Sequence, residues 1–99
     1  MSAPDDLISP AARDALQDFL AGQRALRGAS ENTIEAYGRD IAGFLAFMAL
    51  HHGGAEGLAA LARIDLSDMR AWLARGRAEG AGPRSLARRL SAVKSFMRW

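Results

Sequence analysis

In its 99 residues the sequence has no cysteine, a single lysine, a single valine, a single tyrosine and only two histidines. Without cysteine there is no disulfide framework, no thiolate metal site and no thiol nucleophile. The two histidines are adjacent, at His51 and His52. That is too few for a histidine-cluster metal site, so neither a metal nor any other cofactor is expected. No stretch alternates apolar and polar residues with β-branched side chains, so no strand is expected. No apolar run approaches the ~20 residues needed to span a bilayer. The acidic start, Met1 to Asp6, has no apolar segment behind it, unlike a secretory signal. A cytoplasmic setting away from the membrane is expected, and the length suits one small domain.

What the sequence does have is arginine, and it is unevenly placed. Residues 1–62 hold four arginines against eight acids, a net −4, whereas residues 63–99 hold nine bases against three acids, a net +6. The overall +2 conceals this division. From Arg84 onward there are five bases, Arg84, Arg88, Arg89, Lys94 and Arg98, and no acid. Arginine is the side chain suited to forked contacts with phosphate.

The periodic segments read as helices with short connections. Ser9 is placed to cap the first, with Pro10 in its first turn and Gly28 as its stop. Residues 1–9 are expected to be a frayed N-terminus ending at that cap. Leu16, Phe19, Leu20 and Gln23 form the inward stripe. Ser30 caps the second helix, whose stripe of Ile34, Tyr37, Ile41, Phe44, Leu45 and Met48 falls within an arc of about 100°. Gly38 and Gly43 lie inside this helix, and His51 to Gly54 end it. A short helical turn is expected over 57–63. Asp65 caps a third main helix, with Asp68 at capping-box spacing and Leu66, Met69, Trp72, Leu73 and Gly76 inward. Gly80-Ala81-Gly82 breaks the chain, and Pro83 opens the last helix. Its seam is Leu86, Leu90, Val93 and Met97, with Phe96 beside it. The last helix is still in full pattern at Trp99, which suggests a longer parent chain. The fold class expected is all-α, four main helices in a single bundle.

No catalytic constellation emerges. Asp65 and Asp68 are accounted for as cap and dipole partner, and His51 and His52 as a solvated helix end. Tyr37 lies on a core stripe and reads as a packing residue. The last helix differs. Opposite its seam lie Arg84, Arg88, Ser91 and Ser95, arginines with small residues between them. That pattern lets a helix approach a surface closely while the cations reach to phosphates. Arg89 flanks the core, placed to snorkel or to pair with an acid. A solvated face would more often mix charge signs. The second helix offers another surface, Asn32, Ala36, Arg39 and Gly43. Asn32 and Thr33 stand at its N-terminus, where free N–H groups favour an anion, although both also suit local capping.

The segment Ser30-Glu31-Asn32-Thr33-Ile34-Glu35-Ala36-Tyr37-Gly38-Arg39-Asp40 resembles the Ser-x-Asn-Thr-x-x-x-Tyr-x-x-Asp segment of tyrosine recombinases of the Xer type. Ser85-Leu86-Ala87-Arg88-Arg89-Leu90-Ser91-Ala92-Val93-Lys94-Ser95-Phe96 resembles the last helix of that family's N-terminal domain. The likeness runs from about Ala11 to Trp99. Gly38 departs from it where a basic residue is common, as does Met97 where an aromatic is common.

The resemblance implies an orthogonal SAM-like bundle over residues 10–99, a core-binding domain that forms one half of a clamp on a double-stranded DNA recombination site. The catalytic residues of the family belong to a domain this sequence does not contain. The second and fourth helices would face the DNA, with Asn32, Thr33, Arg39, Arg84, Ser85, Arg88, Ser91 and Lys94 as the expected contacts. Partner recombinase subunits would join it in a tetramer on DNA, in the service of resolving chromosome or plasmid multimers, while the isolated domain would be a monomer. A phage or integron integrase shares the mechanism in another role. A helical protein-interaction module with a basic face is the alternative from a different class.

Overall fold

The computed structural model describes residues 8–52 and 62–99. The described residues form four helices: α1 (Pro10–Arg27), α2 (Glu31–His51), α3 (Leu66–Ala78) and α4 (Pro83–Arg98). There is no strand among them. The expected short turn over 57–63 lies mostly outside the described residues; Ala62 and Arg63 alone are seen, in a turn.

Each helix starts where a local device holds it. Ser9 Oγ accepts the Ala12 N–H at 3.2 Å, and Pro10 occupies the first helical position, where its missing donor costs nothing. Gly28 ends α1 at φ 62°, a left-handed conformation open to glycine. Ala29 N–H then reaches back to Gln23 O at 3.3 Å. Ser30 Oγ accepts the Thr33 N–H at 3.2 Å. Asp65 and Asp68 form a reciprocal capping box: Asp68 N–H donates to Asp65 Oδ1 at 2.9 Å and Asp65 N–H to Asp68 Oδ2 at 3.0 Å.

The centre of the core is Phe19, Ile41, Phe44 and Val93, contributed by α1, α2 and α4. Phe19 meets Phe96 edge-on with centroids 5.6 Å apart, and Phe44 meets Trp72 of α3 in the same way at 5.0 Å. Thus α2 is the central helix, with its principal neighbours α1 and α4. Gly76 lies at the contact of α3 with α4. A Cβ on Gly76 would stand 2.8 Å from Leu86 Cδ2, too close for any other residue without movement. Gly38 faces α1, where an added Cβ would meet Leu20 Cδ1 at 3.4 Å, while Gly43 borders open space. A small side chain at Gly38 would therefore reach α1 in ordinary contact, and one at Gly43 would meet nothing.

Several sequence expectations are corrected. Ile8, assigned to a frayed terminus, is buried in the core, and Ser9 is ordered as the cap. Leu66, expected inward, is 65% exposed, because the inward face of α3 runs through Asp68, Trp72 and Gly76 instead. The largest correction concerns α4. Its buried residues are Ala92, Val93 and Phe96, whereas Leu86 and Leu90 are half-buried and Met97 is exposed. The helix is turned by about 85° from the Leu86–Met97 seam, at about 100° per residue.

His51 and His52 are exposed, as a solvated helix end implies, but they also converge on one carboxylate. His51 Nε2 lies 3.1 Å from Asp68 Oδ1 and His52 Nε2 3.3 Å from Asp68 Oδ2. The end of α2 is thereby tied to the start of α3. The Asp65 N–H, followed by the two imidazoles, holds the Asp68 carboxyl below its ordinary pKa.

Two outcomes follow from this packing. Phe44→Ala should cost ~3–5 kcal/mol and Leu90→Ala clearly less, measured by urea melts; equal costs would restore the original seam. For Asp68, a depressed folded pKa means that its stabilisation is present above about pH 4 and lost as pH falls through the folded value. The stability gap between the parent and Asp68→Asn should therefore be open at pH 7 and closed in strong acid.

Candidate nucleic-acid interface

The turn of α4 redraws its outward face. Arg84, Ala87, Ser91, Lys94 and Arg98 are all exposed and follow one another at alternating steps of three and four, one face of a helix. Arg84, Lys94 and Arg98 make no ion pair among the described residues. Ala87 and Ser91 keep the space between them shallow. Arg98 was not among the residues expected from sequence. Once the phase is set by the buried trio Ala92, Val93 and Phe96, its membership follows from spacing alone.

Two expected contacts are placed differently. Ser85 is half-buried and shares the helix face of Arg89, Ala92 and Phe96, the side turned to the bundle. Arg88 was expected to project to phosphate. Its guanidinium instead grips a carboxylate on α2: Nε donates to Asp40 Oδ2 at 2.9 Å and Nη2 to Asp40 Oδ1 at 3.1 Å. Asp40 is buried, and Arg89 Nε approaches the same carboxylate at 3.8 Å. A carboxylate removed from water needs such a partner, and the forked geometry of arginine supplies two bonds at once. The Asp40 hydrogen bonds and charge raise the Arg88 pKa above its ordinary value. The sequence held one hint of this pair: Asp40 directly precedes the fully buried Ile41, at the edge of an apolar stripe.

On α2, Asn32, Arg39 and Gly43 are exposed and Ala36 is half-buried, so this face is where the periodicity placed it. Arg39 makes no ion pair among the described residues. Thr33 is half-buried and used locally: its N–H donates to Ser30 Oγ, and its Oγ1 accepts from the Ser30 hydroxyl at 3.0 Å. Two other arginines pair with neighbouring acids. Arg24 pairs with Glu31 at 2.8 Å and Arg75 with Glu79 at 3.3 Å, both on the surface. Tyr37 is half-buried against the core. Among the described residues no group of three or more His, Asp or Glu side chains is placed to hold a metal ion. None of their helices is long and apolar enough to cross a membrane.

These features define an all-α domain whose last helix carries an unpaired cationic stripe. The chain belongs to the family described as phage integrase, N-terminal SAM-like domain, which it matches over residues 16–99. It is 46% identical over 90 residues to a tyrosine recombinase XerC of Rhodospirillum centenum, covering 91% of this chain and 26% of that protein. To the tyrosine recombinase XerC of Methylobacterium nodulans it is 44% identical over 99 residues, covering 98% of this chain and 30% of that one. A third such protein, from Mesorhizobium japonicum, is 40% identical over 89 residues, covering 90% and 28%. The chain thus spans less than a third of the length of these relatives. No solved structure matches it.

The pair and the stripe separate in a melt. Arg88→Ala leaves the buried Asp40 with only the more distant Arg89 and should lower stability by ~1–2 kcal/mol, a figure reduced because the guanidinium is half-exposed. Lys94→Ala should melt like the parent. A parent-like melt for Arg88→Ala would remove the pair from the set of interactions that hold the fold.

Proposed function

We propose that this chain is the DNA-binding N-terminal domain of a site-specific tyrosine recombinase, which grips a duplex recombination site and performs no chemistry alone. The observation that carries the reading is the α4 stripe. Three cations stand on one exposed face of a single helix without an acid among them. A surface built for solvation alone gains from mixed signs; a polyanion rewards their segregation. Family membership supports the same reading, as do relatives whose names are those of tyrosine recombinases.

In this reading Arg84, Lys94 and Arg98 bind phosphates from α4, and Ser91 and Ala87 let the backbone come close. Arg39 adds a contact from α2, and Asn32 stands at the N-terminal turn of that helix. Thr33 and Arg88 leave the list of direct contacts because they have other partners, and Ser85 because it faces the bundle. The wider role would be the resolution of chromosome or plasmid multimers in the cytoplasm, by recombinase subunits assembled as a tetramer on DNA. The isolated domain would be a monomer.

Four phosphate contacts, from Arg39, Arg84, Lys94 and Arg98, set an expected slope of log K against log salt near −3 to −4, at ~0.9 per contact. Anisotropy titrations of a labelled duplex across a salt series measure it. A complex with DNA that ignores salt, or no complex at low salt, would overturn the reading and favour an acidic protein partner for the basic face.

A further inference from the structure

Arg88 is half-exposed on the same helix as the cationic stripe, yet its two best donors are already used by Asp40. A phosphate that took the Nε–Nη2 edge would strand a carboxylate whose side chain is only 5% exposed. Arg89 would not make up the loss, since its Nε stands at 3.8 Å and the approach is not forked. The pair also lies at an informative place on the helix. Arg88 falls on the flank of α4, between the buried line of Ala92 and Phe96 and the exposed line of Arg84 and Ser91. A strut there resists rotation of α4 about its own axis, and that rotation decides which residues face outward.

Resting on the DNA-binding reading above, we propose that Asp40 is a positioning residue of the DNA face: through Arg88 it sets the roll of α4, and Arg88 is a strut rather than a phosphate ligand. Arg84, Lys94 and Arg98 then owe their common direction to a carboxylate on another helix. The proposal reverses the sign that charge alone would give. Removing an acid from a protein that binds a polyanion raises its net positive charge and should tighten binding. Removing this acid should loosen it, because Arg88 is released and α4 is free to roll.

The test is a set of salt-series titrations of a short duplex of arbitrary sequence into the parent, Asp40→Asn, Arg88→Gln, the double variant and Lys94→Gln. The folded fraction of each is followed by circular dichroism at the same temperature. Asp40→Asn should bind about tenfold more weakly than the parent despite its extra positive charge. The double variant restores charge balance and offers an amide pair in place of the ion pair. It should recover to within about threefold of the parent. Its salt slope should be unchanged, while Lys94→Gln should lose ~0.9 of slope.

The proposal is overturned if folded Asp40→Asn binds as tightly as the parent, or if the double variant loses the same slope as Lys94→Gln. Should the variants unfold, the parent itself decides. The Arg88 Nε–H resonance, hydrogen-bonded to Asp40, should persist unshifted when DNA is added, and its displacement would make Arg88 a ligand. A parent with no salt-dependent binding would instead sink the DNA reading, a signature distinct from either failure.

Discussion

A carboxylate buried in a bundle of this size has to be answered by a cation, and in this protein the answer comes from another helix. Asp40 sits on α2, the central helix, and is only 8% exposed. Left alone there it would be costly. Arg88 and Arg89 come from α4 to meet it, and once they do the remainder of α4 is committed. Ala92, Val93 and Phe96 turn into the core, Phe96 reaches Phe19 edge-on, and Arg84, Lys94 and Arg98 turn out. The pair is weak evidence for stability in itself, since burying charge offsets much of what pairing returns. What it supplies is a choice among packings of similar apolar content.

That choice was open because the apolar arc of α4 is broader than its partners can cover. Leu86, Leu90 and Met97 offer one seam, and Ala92 and Phe96 another, with Val93 shared. The bundle takes the second. Leu86 and Leu90 are left half-buried with Leu73 along a groove of about 470 Å³ between α3 and α4. At Gly76 the two helices touch through Leu86, which also lines the groove.

This explains which features were legible in the sequence. The caps at Ser9, Ser30 and Asp65, the stop at Gly28 and the opening Pro83 are local chemistry, decided within three or four residues, and they stand where the sequence placed them. The α2 stripe was legible because its large apolar residues from Ile34 to Met48 recur at helical spacing over four turns, long enough to fix a phase. The roll of α4 was not, because it depends on Asp40, 48 residues away in the chain. The ion pair of Arg88 was not legible for the same reason: an outward angle taken from the Leu86–Met97 seam gives no sign of a carboxylate on α2. Ile8 and Leu66 lie beside caps, where periodicity has too few turns to set a face. The two histidines looked like an unused helix end because their partner, Asp68, already had a sufficient role in the capping box.

The functional face was legible in composition before it was legible in residues. A one-sided basic segment survives an error in helical phase, since turning α4 exchanges Arg88 for Arg98 but leaves Arg84, Ser91 and Lys94 outward. What favours a polyanion is therefore where the unpaired cations of α4 stand. Arg88 is matched to an acid of α2, as Arg24 and Arg75 are matched to surface acids, whereas Arg84, Lys94 and Arg98 share one exposed face with no acid on it. Along α4 no acid exists to be matched after Glu79. Arg84, Lys94 and Arg98 are spaced by helix geometry onto one line, with alanine and serine between them. Repulsion among them is a standing cost in the free protein, and it is offset only when a partner of opposite charge lies along the whole line. Duplex DNA, with a phosphate charge at every ~1.7 Å of its axis, meets that requirement more closely than scattered carboxylates on a protein surface do.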